Sequence, residues 1–154
     1  MSRIKDLQKY VHRVLNDVDS AKRANAAAHL HSVALAAVMI AKKRGENAEL
    51  AAMAGLLHDL WAYKSGSYDN HALLGAQYAR KVLEKLGITT AEETEAVCRA
   101  ILHHDDKAGR DAGLDEVLKD ADVIHHSLAD PTKDVKPHEM QRYKKLCEEF
   151  GMRE

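Results

Sequence analysis

The chain has 154 residues, of which 45% are hydrophobic, so we expect one globular domain with a continuous core and exclude a disordered chain. Its 23 basic and 24 acidic residues almost cancel, which argues against a nucleic-acid polymer as partner, because such proteins usually carry a basic excess. Cys98 and Cys147 have the spacing of neither a disulfide framework nor a metal site, and they predict free thiols in a reducing compartment, the cytoplasm.

Helix signals follow one another along the whole chain. Asn25, Asn47 and Asn70 are predicted N-caps, and Gly45 and Gly87 are predicted to stop the helices that precede them. A loop is predicted over residues 64–70 (KSGSYDN). The predicted helices cover residues 4–18, 26–43, 48–60, 71–86, from Thr89 or Thr90 to 104, 114–128 and 138–150.

No strand pattern competes with these helices. Alternation of apolar and polar residues never persists beyond four positions, and no Asn-Gly or Asp-Gly hairpin signal occurs. The sequence therefore predicts an all-α fold, a single-domain bundle of about six to eight helices over residues 1–154. Its core is expected at about 25–128, between an N-terminal helix and a C-terminal amphipathic helix. No segment is expected to span a membrane, so no membrane partner is predicted.

The dipeptide His58-Asp59 ends the most apolar segment of the chain, residues 48–60. The segment has no polar face, which indicates a buried helix, and burying a carboxylate without a partner is costly. A metal ion would satisfy both side chains. The alternative is a half-exposed Asp59 beside a histidine bonded to a backbone carbonyl, and the dipeptide alone does not decide between the two.

Three other histidines lie on apolar stripes of their own helices. His29 shares a stripe with Val33 and Ile40, and His71 and His104 are placed in the same way on two later helices. A single histidine on such a stripe is more often a satisfied core residue than a ligand. Three of them beside one helix that ends in His-Asp favour a shared metal centre.

An acidic pair interrupts the apolar helix over residues 114–128. Asp122 follows Leu118 by four positions, so it can share the inward face, although a surface aspartate is the alternative. Asp120 is predicted to be exposed. His125 and His126 lie one turn further on, and we interpret them as ordinary residues rather than as donors to Asp122.

As an ordered set, these residues resemble the HD-domain metal-dependent phosphohydrolases. That family has a histidine on one helix, a His-Asp pair on the next and a distant aspartate in an Ala-Asp context. The matching residues are His29, the segment AGLLHD at 54–59 and Asp122 after Ala121. HALLGA at 71–76 and ILHH at 101–104 are also similar, so the resemblance covers about residues 25–128.

The resemblance implies that His29, His58, Asp59 and Asp122 hold one metal ion. His31 competes with His29 for the first position, but it lies about 200° away around a helix. In relatives with two ions, histidines that match His71, His103 or His104 serve the second ion, often with the aspartate of the His-Asp pair as a bridge. His104 is preferred to His103 because of its apolar stripe.

The implied activity is cleavage of a phosphomonoester or phosphoanhydride in a nucleotide or small phosphorylated metabolite, with Asp59 as the catalytic residue. Imidazole and carboxylate ligands suit a divalent transition metal such as Mn, Fe, Co, Ni or Zn. Many relatives continue the His-Asp pair with Ile-Gly-Lys, whereas this chain continues LWAYK. The resemblance therefore does not identify the residues that contact the substrate phosphate. Lys64, Lys107 and Arg110 are candidates, although exposed cations are commonly plain surface charges.

Three other functions remain open at this point. The same scaffold supports di-iron oxygenases with four histidines and two aspartates, and it also supports non-catalytic nucleotide-binding or sensor modules. A purely structural bundle without an active site is the third.

Overall fold

The computed structural model describes residues 2–154, and within that range the chain forms eight α-helices and no β-strand. This confirms the predicted all-α fold. The helices are α1 (Arg3–Asn16), α2 (Ser20–Arg44), α3 (Ala48–Leu57), α4 (Leu60–Ser65), α5 (His71–Leu86), α6 (Ala91–His103), α7 (Leu114–Leu128) and α8 (Met140–Phe150).

Two helix predictions in the N-terminal half of the chain are wrong: the start of the second helix, and the single helix over residues 48–60. Helix α2 begins at Ser20 rather than after Asn25, because Asp19 caps it by accepting a hydrogen bond from the Ala21 amide at 2.8 Å. The segment 48–60 is not one helix, since α3 ends at Leu57 and α4 runs from Leu60 to Ser65, into the predicted loop. The break between α3 and α4 falls on His58 and Asp59.

Helices α2 and α3 form the centre of the domain, and α2 packs mainly against α3 and α7. Every residue from 50 to 57 is buried, as the apolar segment predicted. Gly55 allows the two central helices to touch, because a Cβ atom at this position would lie 2.5 Å from the Ala34 Cα atom. This close approach brings the end of α3 beside the middle of α2.

Helix α2 is by length and composition apolar enough to cross a membrane, although no segment of the sequence was expected to span one. Half of its most apolar 18-residue window is buried inside the protein. Its apolar residues therefore have a role in the core of this domain, and a buried core helix satisfies the same length and hydropathy criteria as a membrane span.

Ion pairs fasten the last helix to the core. Asp120, which was predicted to be exposed, is buried between Arg44 and Arg142, with N–O distances of 2.8 Å and 3.1 Å. Arg142 also pairs with Glu116, and Arg44 pairs with Glu149 on α8. The prediction for Asp120 was wrong because the partners that allow its burial come from α2 and α8, far away in sequence.

Gly55→Ala tests the close contact between α2 and α3. Helix propensity alone would make this substitution stabilising by about 1 kcal/mol, whereas the clash with the α2 backbone should lower the free energy of unfolding by about 1–3 kcal/mol. Urea unfolding followed by circular dichroism measures the sign. Ala28→Ser, on the exposed face of α2, is the control and should change stability by less than about 0.5 kcal/mol. A stabilised Gly55→Ala protein would contradict the contact.

Candidate metal centre

The break between α3 and α4 positions the His-Asp pair. His58 is the C-cap of α3, and Asp59 has φ −113° and ψ 5°, in the sparsely populated region where many active-site residues lie. Asp59 precedes α4 but makes no capping hydrogen bond with it. Its carboxylate is therefore free to face the interior, where both side chains are buried.

Four side chains from three parts of the chain converge at this break. His29 of α2 has its Nε2 atom 3.0 Å from His58 Nε2 and 3.2 Å from Asp59 Oδ2. Asp122 of α7 has its Oδ1 atom 3.5 Å from the Nε2 atom of each of these two histidines. The structure thus brings together the residues that the sequence predicted as ligands of one ion.

Backbone contacts orient the histidine rings of the site. The Nδ1 atom of His58 donates to the Gly55 carbonyl at 2.8 Å, and that of His104 donates to the Ile101 carbonyl at 2.6 Å. His71 Nδ1 donates to the Tyr68 carbonyl at 3.0 Å. A ring that carries its proton on Nδ1 presents a lone pair at Nε2, and in all three rings Nε2 faces the aspartates.

A second group of donors lies on the other side of Asp59. Its Oδ1 atom is 3.4 Å from His104 Nε2 and 3.7 Å from His71 Nε2, whereas its Oδ2 atom faces His29 and His58. One carboxylate therefore faces two groups of imidazole nitrogens, an arrangement that suits a bridge between two ions.

His103, the alternative to His104, lies elsewhere. Its Nδ1 atom is 2.7 Å from Asp115 Oδ2 and 3.8 Å from Asp111 Oδ2, in a separate cluster. The structure does not bring it to the His-Asp pair. Its neighbour His104 is buried, in agreement with the apolar stripe on which it was preferred.

The electrostatics of the centre favour a cation. Burial alone would raise the pKa of the Asp59 and Asp122 carboxyl groups, but the neighbouring histidines, and Lys107 for Asp122, hold both pKa values well below the usual range. Burial lowers the pKa of His29. Burial also opposes a charge on His58, yet the two carboxylates overcome it and raise the His58 pKa. Two buried carboxylates thus draw positive charge to the place where the Nε2 atoms meet.

The polar atoms of the centre fit a metal ion. Within residues 2–154, Asp59 Oδ1 and Asp122 Oδ1 are buried and have no hydrogen-bond partner, which is unusual for carboxylate oxygens. Histidine nitrogens and carboxylate oxygens in groups of three lie close enough to ligate an ion: His29, His58 and Asp59; His29, Asp122 and His126; His58, His104 and Asp122; Asp59, His71 and His104.

Of the three candidate phosphate contacts, one lies at the centre. Lys107 is buried, and its Nζ atom donates to Asp122 Oδ2 at 2.8 Å and to the His104 carbonyl at 2.6 Å. Its interpretation as a plain surface charge was wrong, because its amine reaches inward to a carboxylate 15 residues away. Lys64 and Arg110 are exposed and line other cavities, so the structure does not bring them to the centre.

A cavity of about 420 Å³ opens onto the centre. Several of its lining residues were not singled out as site residues: Asn25, Tyr63, Tyr68, Asp105, His125, His126 and Lys136.

The interpretation of His126 as an ordinary residue was wrong. Its Nε2 atom is 3.4 Å from Asp122 Oδ1, and its Nδ1 atom is 2.8 Å from the buried Glu139. The four-residue spacing from Asp122 was the signal for this contact.

Comparison with known protein families places the centre inside a matched family region. The family model described as HD domain matches residues 26–127, about two thirds of the chain. His29, His58, Asp59 and Asp122 all lie within the matched range, and α1 and α8 lie outside it. No solved structure matches the chain.

Lys107→Met tests the ion pair with Asp122. Removing one partner of a buried pair leaves an uncompensated charge, so the metal-free protein should lose about 3–5 kcal/mol of unfolding free energy. Urea unfolding in the presence of a chelator measures the loss. Lys133→Met removes an exposed lysine, 79% accessible in its side chain, and should cost less than about 0.5 kcal/mol. Equal losses in the two variants would show that Lys107 does not stabilise Asp122.

Proposed function

The chain belongs to the HD-domain family, whose members are mostly metal-dependent hydrolases, and from that premise we propose that it is a metal-dependent phosphohydrolase. Its substrate would be a nucleotide or another small phosphorylated metabolite, cleaved at a phosphomonoester or phosphoanhydride bond. The observation that carries the proposal is the position of Asp59 between two groups of histidine nitrogens, of which only that of His71 belongs to a half-buried residue.

His29, His58, Asp59 and Asp122 would hold the first ion, and His71 and His104 would hold a second one with Asp59 as a shared ligand. The donor set suits Mn, Fe, Co, Ni or Zn. When bound, such ions activate water at neutral pH and withdraw charge from the phosphoryl oxygens. The carboxylate of Asp59 can also accept a hydrogen bond from the attacking water, which would orient it towards phosphorus.

The charges that line the cavity explain why the reaction would need metal. Asp59, Asp105 and Asp122 contribute three carboxylates, and Lys136 is the one lysine or arginine that lines this cavity within residues 2–154. Lys107 and His58 balance the two buried carboxylates, so without cations the cavity offers a phosphate group no excess of positive charge. A loaded centre would add positive charge, so the same ions would serve both substrate binding and the chemical step.

Side chains around the mouth would place the substrate. Lys136 is exposed at the cavity wall and can pair with a phosphate oxygen. Tyr63 and Tyr68 lie edge to face, with ring centroids 6.3 Å apart, and offer an apolar surface to the organic part of the substrate. His126 is held through its Nδ1 atom by Glu139, which fixes its Nε2 atom towards Asp122.

Asp59→Ala tests this proposal directly. The variant should lose hydrolysis of every phosphate ester that the wild type cleaves, since both groups of histidines would lose their shared carboxylate. Helicity should be largely retained, because Asp59 makes no capping bond. The assay is a panel of nucleotides and phosphomonoesters with added Mn²⁺, Fe²⁺, Co²⁺ or Ni²⁺, with circular dichroism for the fold. Asp134→Ala, at an exposed position, is the matched control and should remain active. Activity that persists in Asp59→Ala would remove the mechanism.

A comparison of His104→Ala with His58→Ala separates a one-ion from a two-ion requirement. His104 faces only one oxygen of Asp59, whereas His58 faces both aspartates, so His104→Ala should lower activity less. Metal content per chain should be measured on the same samples. An equal or larger loss in His104→Ala would mean that the second ion is obligatory for hydrolysis.

A di-iron oxygenase is the second candidate, because the six side chains at the centre comprise four histidines and two aspartates. The two functions differ in the redox chemistry that they need. Hydrolysis proceeds with redox-silent ions, whereas oxygenation needs iron and O₂. Phosphate release by the Mn²⁺-loaded protein without oxygen supports the hydrolase, and substrate consumption that needs both iron and O₂ supports the oxygenase.

A further inference from the structure

A second pair of facing histidines lies on the protein surface, away from the centre. His12 of α1 is exposed, His31 of α2 is half-buried, and their Nε2 atoms are 2.9 Å apart. His31 is the residue that competed with His29 in the sequence. It lies two positions later on the same helix, so it faces another side of α2 and meets α1 instead of α3.

The surface pair has the same ring geometry as the central pair. The ring centroids of His12 and His31 are 5.1 Å apart with an interplanar angle of 55°, and those of His29 and His58 are 4.9 Å apart with an angle of 54°. The Nε2–Nε2 distances are 2.9 Å and 3.0 Å. Helix α2 thus contributes two histidines, and each points Nε2 at the Nε2 atom of another histidine, His12 on α1 or His58 at the end of α3.

This separation is close to that of two ligands on one ion. Two nitrogens that each lie about 2.1 Å from one metal ion are about 3.0 Å apart at right angles and about 3.4 Å apart at the tetrahedral angle. A hydrogen bond between two neutral rings has a similar length, but at an exposed site it competes with water and contributes little. Holding two surface rings in one geometry costs side-chain entropy, which a bound cation would offset.

We propose that His12 and His31 form a second cation site, for a divalent transition metal such as Zn²⁺, Ni²⁺ or Cu²⁺, with water as the remaining ligands. The site joins α1 to α2. Helix α1 lies outside the residues that match the HD family, so the site is an addition to the matched domain. It does not depend on the proposed hydrolase activity.

Zn²⁺ titration of the metal-stripped full chain by calorimetry tests the site. Wild type should show binding at the centre followed by a weaker step of one ion per chain. His12→Ala and His31→Ala should each lose the weaker step and keep the stronger binding, while His138→Ala, which removes another exposed histidine, should keep both. His12 is exposed, so its replacement should not unfold the protein. A weaker step that survives in both variants, or that is missing in wild type, would overturn the proposal.

Hydrogen exchange provides an independent readout of the same site. Because the ion would hold α1 against α2, excess Zn²⁺ should slow amide exchange in α1 of wild type beyond the effect seen in His12→Ala. The same protection in both proteins would show that Zn²⁺ acts through the centre alone, and the surface site would then be rejected.

Discussion

Two carboxylates buried in one helical core are the constraint on which this structure depends. Asp59 and Asp122 are each less than a tenth exposed, and an uncompensated charge in such a place would cost several kcal/mol. The fold surrounds them with nitrogen atoms: histidines from α2, α5, the α3–α4 break and the residue that follows α6, and the amine of Lys107. A cation at the centre would complete this compensation.

The packing of the central helices makes that arrangement possible. Gly55 allows α3 to touch the α2 backbone at Ala34, and the same helical turn of α3 supplies the carbonyl that orients His58. The chain then breaks at Asp59, so its carboxylate faces inward and does not cap α4. Residues 55–59, at the end of α3 and just after it, thus determine three features: the contact between α2 and α3, the orientation of the His58 ring and the direction of the Asp59 carboxylate.

The sequence predicted those features that depend on local periodicity. Helices α5 and α7 have the predicted boundaries, because Gly87 ends α5 and the apolar stripes of both helices run between these bounds, and the choice of His104 over His103 as the buried histidine followed from the same kind of stripe. Features that depend on distant partners were missed. The burial of Asp120 needs arginines from α2 and α8, and Lys107 faces inward only because Asp122 lies beside it in the fold. The break at His58-Asp59 was hidden by an apolar run that continues through it.

The most direct test of the account is a crystal structure of the metal-loaded protein, with anomalous data collected at the absorption edge of the metal. A peak is expected within about 2.0–2.2 Å of His29 Nε2, His58 Nε2 and one oxygen each of Asp59 and Asp122. A protein that binds no metal, or a peak that lies away from these four side chains, would contradict it.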